Sequence, residues 1–171
     1  DTADIRCVNP SCPAQLTRTI SYFTSRNCMD ITGLGETLVD ELVKENYLRN
    51  YADIYCLKEH RDELIEKGII GKEKNTDKVL AAIEKSKSNS PVRLLTALGI
   101  RNVGGSTARE LMKHYRSIRE LEAATEDDLV QIPDIGETTA RDIVNFFSNE
   151  ENQKILNRLS DYGLKMEMEK E

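Results

Sequence analysis

Ile132-Pro133-Asp134-Ile135-Gly136-Glu137-Thr138-Thr139-Ala140 is the most legible copy of a string that the chain writes four times. An apolar residue, turn-formers, a second apolar residue and a glycine lead into a helix with a small, polar first turn. The helix continues through Ala140, Ile143, Val144 and Phe147, a spacing that puts one apolar stripe on one face. Counted from Gly104, the same offsets fall on Ala108, Leu111, Met112 and Tyr115. From Gly35 they give Val39, Leu42, Val43 and, one step late, Tyr47. Before each glycine, apolar residues stand at minus one and minus four: Ile135 and Ile132, Val103 and Ile100, Leu34 and Ile31.

The remaining copy is damaged. Offsets fitted to Val79, Leu80 and Ile83 place Lys72 in the glycine slot and Thr76 in the alanine slot. Its upstream apolar pair falls on Gly68 and Gly71, so the hairpin has slipped by about one residue against its helix. Lys72 either replaces a backbone contact with a side-chain one or marks a hairpin that is only a structural mate. The second reading is preferred, with Lys72 kept among the binding candidates.

Glycines at these positions have two expected uses: a turn conformation that other residues reach at a cost, and bare backbone that a ligand can approach. A helix start adds unpaired N–H groups and the positive end of the dipole. Together they suit a phosphate held by main chain. A single site of this kind is usually just a turn. Several at near-constant spacing point to a ligand that repeats phosphates, which is nucleic acid. Gly33, Gly35, Gly104, Gly105, Ser106, Thr107, Gly136, Thr138 and Thr139 are the main-chain candidates. Arg101, at the tip of the third hairpin, is the leading side chain; Arg18 and Arg26 are the cations expected nearest the first hairpin.

Composition sets bounds on this reading. The 171 residues are 39% hydrophobic and 32% charged, with no Trp, a soluble globular balance. That length allows one domain or two small ones. No apolar run approaches the roughly 20 residues needed to cross a bilayer, and no secretory leader is recognisable. The net charge of −6 opposes phosphate binding, since affinity for nucleic acid normally comes from basic patches. The two are compatible if backbone amides and a few local cations make the contacts while acidic residues face away.

Cys7 and Cys12 form a Cys-x4-Cys turn that could be half of a tetrahedral zinc site. Four reduced thiols without metal are the alternative. Cys28 and Cys56 lie in apolar settings expected of free thiols. The stretch 17–24 suggests a short strand or a helical lead-in, and short helices are expected at 53–57, 62–67, 92–98, 117–123, 125–130 and 152–159. Thr125 and Asp128 have capping-box spacing. Ser90-Pro91 reads as an N-cap with a first-turn proline, and 85–91 as the seam between two halves. His60 and His114 are expected on helix surfaces. The tail beyond Lys165 is expected to be frayed. The predicted fold is therefore all-α: tandem helix-hairpin-helix repeats in two paired halves, after an incomplete four-cysteine finger. The expected partition is 1–24 finger remnant and lead-in, 25–88 first pair, 89–165 second pair and 166–171 tail.

With these residues in hand, the chain resembles the C-terminal part of bacterial NAD-dependent DNA ligase. The stretch Tyr22 to Ile31 through Gly35, with Leu98-Gly99-Ile100-Arg101 and Val103-Gly104, carries the resemblance. It implies that Cys7 and Cys12 are the last two zinc ligands, with a first Cys pair upstream of residue 1. It implies a monomeric ring-shaped enzyme around nicked duplex DNA in the bacterial cytoplasm and nucleoid, these hairpins gripping the minor groove. NAD and Mg would serve the parent enzyme only. Its adenylation, oligonucleotide-binding-fold and BRCT domains have no counterpart here. The adenylation motif Lys-x-Asp-Gly does not occur, so the fragment should bind without catalysis. Two rivals are weighed: a helix-hairpin-helix glycosylase, whose late catalytic aspartate could only be Asp161, and a protein-interaction module, which the acidic charge favours.

Overall fold

A computed structural model describes residues 12–168. The chain forms α1 (Pro13–Thr24), α2 (Glu36–Lys44), a 3-10 helix (Tyr51–His60), α3 (Arg61–Lys67), α4 (Glu73–Ser86), α5 (Pro91–Ala97), α6 (Gly105–His114), α7 (Ile118–Glu122), α8 (Glu126–Val130), α9 (Glu137–Ser148) and α10 (Glu150–Asp161). The segment 17–24 is thus helical, with Pro13 in the first turn. Its β-branched threonines are tolerated because Thr17 and Thr24 are buried and hydrogen-bonded, Thr24 Oγ1 donating to the Leu34 carbonyl at 2.9 Å. Tertiary packing overrides their weak propensity.

Four helix pairs carry the repeats: α1 with α2, α3 with α4, α5 with α6, and α8 with α9. In every pair the residue in the alanine slot is fully buried: Val39, Thr76, Ala108 and Ala140. Its amide donates to the N-cap carbonyl at 2.9 Å in all four, from Gly35, Lys72, Gly104 and Gly136. The damaged copy therefore keeps its helix register. Its turn does not. Leu34, Val103 and Ile135 each donate to the carbonyl three residues back, and the residue before each takes positive φ (Gly33 92°, Asn102 69°, Asp134 74°). In the second hairpin the positive φ moves one residue later, to Gly71 at 140°, and the buried apolar residue one earlier, to Ile70. Asn75 Nδ2 ties this slipped turn by donating to the Ile70 carbonyl at 2.7 Å.

The hairpins pair within each half. A Cβ on Gly33 would lie 3.1 Å from Val79 Cγ2 of α4, which sets the first hairpin against the second. Asn102 Nδ2 of the third hairpin donates to Asp142 of α9 at 2.6 Å. The seam at 85–91 is closely packed. Asn89 Nδ2 donates to the Met29 carbonyl at 2.7 Å, and Arg93 to the Cys28 carbonyl at 2.6 Å. Tyr51, stacked on Phe23 with ring centres 4.6 Å apart, donates its hydroxyl to the Leu98 carbonyl at 3.3 Å. On the other side Arg158 of α10 meets Asp53 at 2.8 Å and contacts Asn50 and Tyr162. One apolar core runs through both halves, from Ile20 and Phe23 to Leu156 and Leu159.

The capping box at Thr125 and Asp128 forms as expected, as does the Ser90 cap ahead of Pro91. The tail departs from expectation. Leu164 and Met166 are buried, Ile118 donates to the Met166 carbonyl at 2.8 Å, and Met168 to the Arg116 carbonyl at 2.8 Å. The alternation of Met with Glu is that of an extended edge with one buried side, so residues as far as Met168 dock instead of fraying.

Candidate nucleic-acid interface

Most helix starts in this chain fall into two groups; α1, behind Cys12, and α3, which continues from the 3-10 helix at His60, also start without a side-chain cap bond. Those of α5, α7, α8, α10 and the 3-10 helix are closed by side chains: Ser90, Ser117, Thr125, Asn149 and Asn50 each accept from a first-turn amide. The four helices that follow hairpins are left open. Gly35, Lys72, Gly104 and Gly136 cap α2, α4, α6 and α9 without a side-chain hydrogen bond. A side-chain cap is better than glycine by only a few tenths of a kcal/mol, and the chain forgoes it at each hairpin.

The glycines sharpen the contrast. Gly35, Gly104 and Gly136 have φ of −84°, −99° and −88° with ψ near extended. Any residue adopts that conformation. A Cβ there, or on Gly105, would have no atom within 4 Å. The turn therefore does not require glycine at the helix mouth, contrary to the first of the two uses expected above. Positive φ falls two residues earlier, on Gly33, Asn102 and Asp134. What these N-cap glycines keep open is space outside the protein. Gly33 is different, since its φ of 92° and its approach to Val79 give it a role in folding.

The candidates divide by place. Gly35, Gly104, Gly105, Ser106, Gly136 and Thr138 are exposed at the mouths, while Thr107 and Thr139 turn half-buried toward the core side. Lys72 is exposed in the glycine slot. Arg101 is exposed at its hairpin tip, and Arg26 is exposed beside the turn whose carbonyls Arg93 holds. Arg18 is exposed on α1. It lines a groove of about 440 Å³ with Thr19, Tyr22, Gly99, Asn102 and Gly104, next to the third hairpin. The cause is the packing of α1 against α5 across the seam.

Charge is arranged unevenly. Five residues after the glycine slot, the first two repeats carry Asp40 and Asp77 and the last two Arg109 and Arg141. Asp40 is held below the usual carboxylate range by its hydrogen bonds from Lys44 and Thr17. Arg61, 2.6 Å away, does the same to Asp77. Further pairs join Lys67 to Glu63, and Lys58 and Lys87 to Glu84. Arg101, Arg109 and Arg141 have no ion pair among the described residues. Thus the acidic balance is partly spent on cations of the first half. Arg109 and Arg141 were overlooked in the sequence, although their identical offset is a readable signal.

Cys12 is half-buried at the N-cap of α1, and Cys7 lies outside the described residues. Among the described residues no three His, Cys, Asp or Glu side chains gather as metal ligands. By themselves they do not make up a zinc site. Cys28 is a buried free thiol, whereas Cys56 is only half-buried, with its pKa raised by burial. His60 and His114 are exposed beside Glu63 and Glu110.

Open helix starts behind hairpins recur four times in this all-α fold. Residues 93–156 match the family model described as helix-hairpin-helix motif. Over nearly its whole length the chain is also similar to bacterial proteins named DNA ligase. It is 44% identical over 164 residues to that of Clostridium kluyveri, covering 96% of this chain and 25% of the relative. The Bacillus cytotoxicus relative is 43% identical over 162 residues, 95% of this chain and 24% of its own. That of Anoxybacillus flavithermus is 43% identical over 166 residues, 97% and 24%. The chain thus spans about a quarter of the length of these relatives.

Proposed function

We propose that this chain is the duplex-gripping region of an NAD-dependent DNA ligase, holding nicked DNA by main-chain amides while catalysis happens elsewhere in the parent protein. The carrying observation is that α2, α6 and α9 start without a side-chain cap, each behind a glycine that folding does not require and with open space around it. First-turn amides would donate to phosphate oxygens with the dipole behind them. Two hairpins per half suit two antiparallel backbones, so contacts are to phosphate and carry no base sequence. Arg101, Arg109 and Arg141 would supply local positive charge, and Lys72 a side-chain contact at the mouth without glycine. The similarity to DNA ligases supports this assignment.

In this reading the parent enzyme uses NAD and Mg, works as a monomer at the nucleoid, and seals nicks in replication and repair. The isolated region is inactive because the adenylating lysine motif is elsewhere. Cys7 and Cys12 would join two ligands from outside this chain if zinc binds. The glycosylase reading loses ground to the ligase relatives, and Asp161 is an exposed residue ending α10. Binding of nicked duplex by gel shift, with bulky residues at Gly104 and Gly136, tests the proposal. Retained binding by that double variant, with its fold intact, overturns it.

A further inference from the structure

The groove beside the third hairpin is built by a helix from the other half. Arg18, Thr19 and Tyr22 of α1 form one wall, and Gly99, Ile100, Asn102, Val103 and Gly104 form the other. Tyr22 is 42% exposed, the one large hydrophobic side chain in that state among the described residues. Isolated surface aromatics are ordinary. This one is not isolated. Its ring lies over Gly99, close enough that a Cβ there would come within 3.8 Å of it. Its phenol is held above the ordinary tyrosine pKa, by burial first and the Cys28 thiol second. Arg18 stands one helical turn away, exposed and hydrogen-bonded only to Gln15 at 3.0 Å among the described residues. The wall is an aromatic face beside a cation, open to solvent and continuous with the mouth at Gly104.

We infer that this groove receives one deoxyribose of a duplex strand, the Tyr22 ring packing on the sugar and Arg18 meeting the phosphate next to it. A sugar offers an apolar face next to a charged group, the pairing that Tyr22 and Arg18 present. The inference rests on the hairpin reading above and adds a side-chain contact that crosses the seam. Its consequence is that the first half of the chain, through α1, shares the strand held by the third hairpin.

The test uses the full chain and a nicked duplex, with binding followed by fluorescence anisotropy at fixed salt. Tyr22→Ala weakens binding about fivefold, the scale expected for losing part of an aromatic ring's apolar contact. Tyr22→Phe binds as the parent does, since the ring and not the hydroxyl makes the contact. In the unaltered protein, duplex protects Tyr22 from nitration, a readout that needs no variant to fold. If Gly136→Ser loses affinity while Tyr22→Ala does not and Tyr22 stays reactive, the groove is overturned and the hairpins stand. If neither substitution alters binding, the hairpin reading itself has failed.

Discussion

Replacing Gly136 by serine should move fold stability and DNA binding in opposite directions. The backbone there is already extended, at φ −88° and ψ 177°, and no atom lies within 4 Å of the new Cβ. Serine therefore enters without strain. It restricts the unfolded chain, worth about 0.4–1 kcal/mol, and its hydroxyl closes the start of α9, a few tenths of a kcal/mol better than glycine. Together they stabilise by about 1 kcal/mol, or a rise in melting temperature of about 2–4 °C for a chain of this size. The same hydroxyl occupies the amide that a phosphate would use. Hydrogen bonds to charged groups contribute about 1.5–3 kcal/mol each, so affinity for nicked duplex should fall at least about tenfold. Thermal melting and fluorescence anisotropy on one preparation measure both. A variant that melts higher and binds DNA as tightly as the parent refutes the idea that α9 holds phosphate by its open start.

Gly33→Ala should behave in the reverse sense. Positive φ and the 3.1 Å approach to Val79 make it destabilising, by about 1–2 kcal/mol in urea unfolding, while Gly35→Ala two residues on leaves the midpoint nearly unchanged. Arg101→Gln should lower the slope of log affinity against log salt by about one, if that side chain neutralises a phosphate; an unchanged slope removes Arg101 from the interface. At alkaline pH, burial of Tyr55 pushes its pKa up to about 12 against about 10 in an unfolded chain. The folded state disfavours the phenolate, so this stability is intact below about pH 10 and is lost as pH rises toward 12, by about 3 kcal/mol in all. Tyrosinate absorbance should appear together with unfolding; ionisation of Tyr55 in a chain that stays folded at pH 10 would contradict its burial.

The repeat was legible because its period is carried by side chains that must be buried. Ala108 and Ala140 sit in their slots because nothing larger than Val39 or Thr76 is found where the helix meets its hairpin. Even the damaged copy could be aligned through Val79 and Ile83, which the core holds whatever the turn does. The use of the glycines was half legible. Sequence alone cannot separate a glycine kept for backbone angle, such as Gly33, from one kept for open space, such as Gly136; coordinates are needed for that. That Arg18 borders the third hairpin was not legible. It depends on α1 leaning across the seam, a long-range contact that no local period encodes. The docked tail was hidden for a like reason, since it is held by a distant partner: the Ile118 amide donates to the Met166 carbonyl.

The clasp at the seam has a mechanical result. Asn89 and Arg93 grip the carbonyls of the first turn on one side, and Arg158 fastens Asp53 on the other. These contacts resist relative movement of the two halves, so the gap between their mouths acts as a gauge. Nucleic acid that does not fit the gauge must itself bend or narrow, at an elastic cost set by its own sequence and continuity. A broken strand flexes more cheaply than an intact one, so under the proposed function such a clasp would favour an interrupted duplex without touching the break.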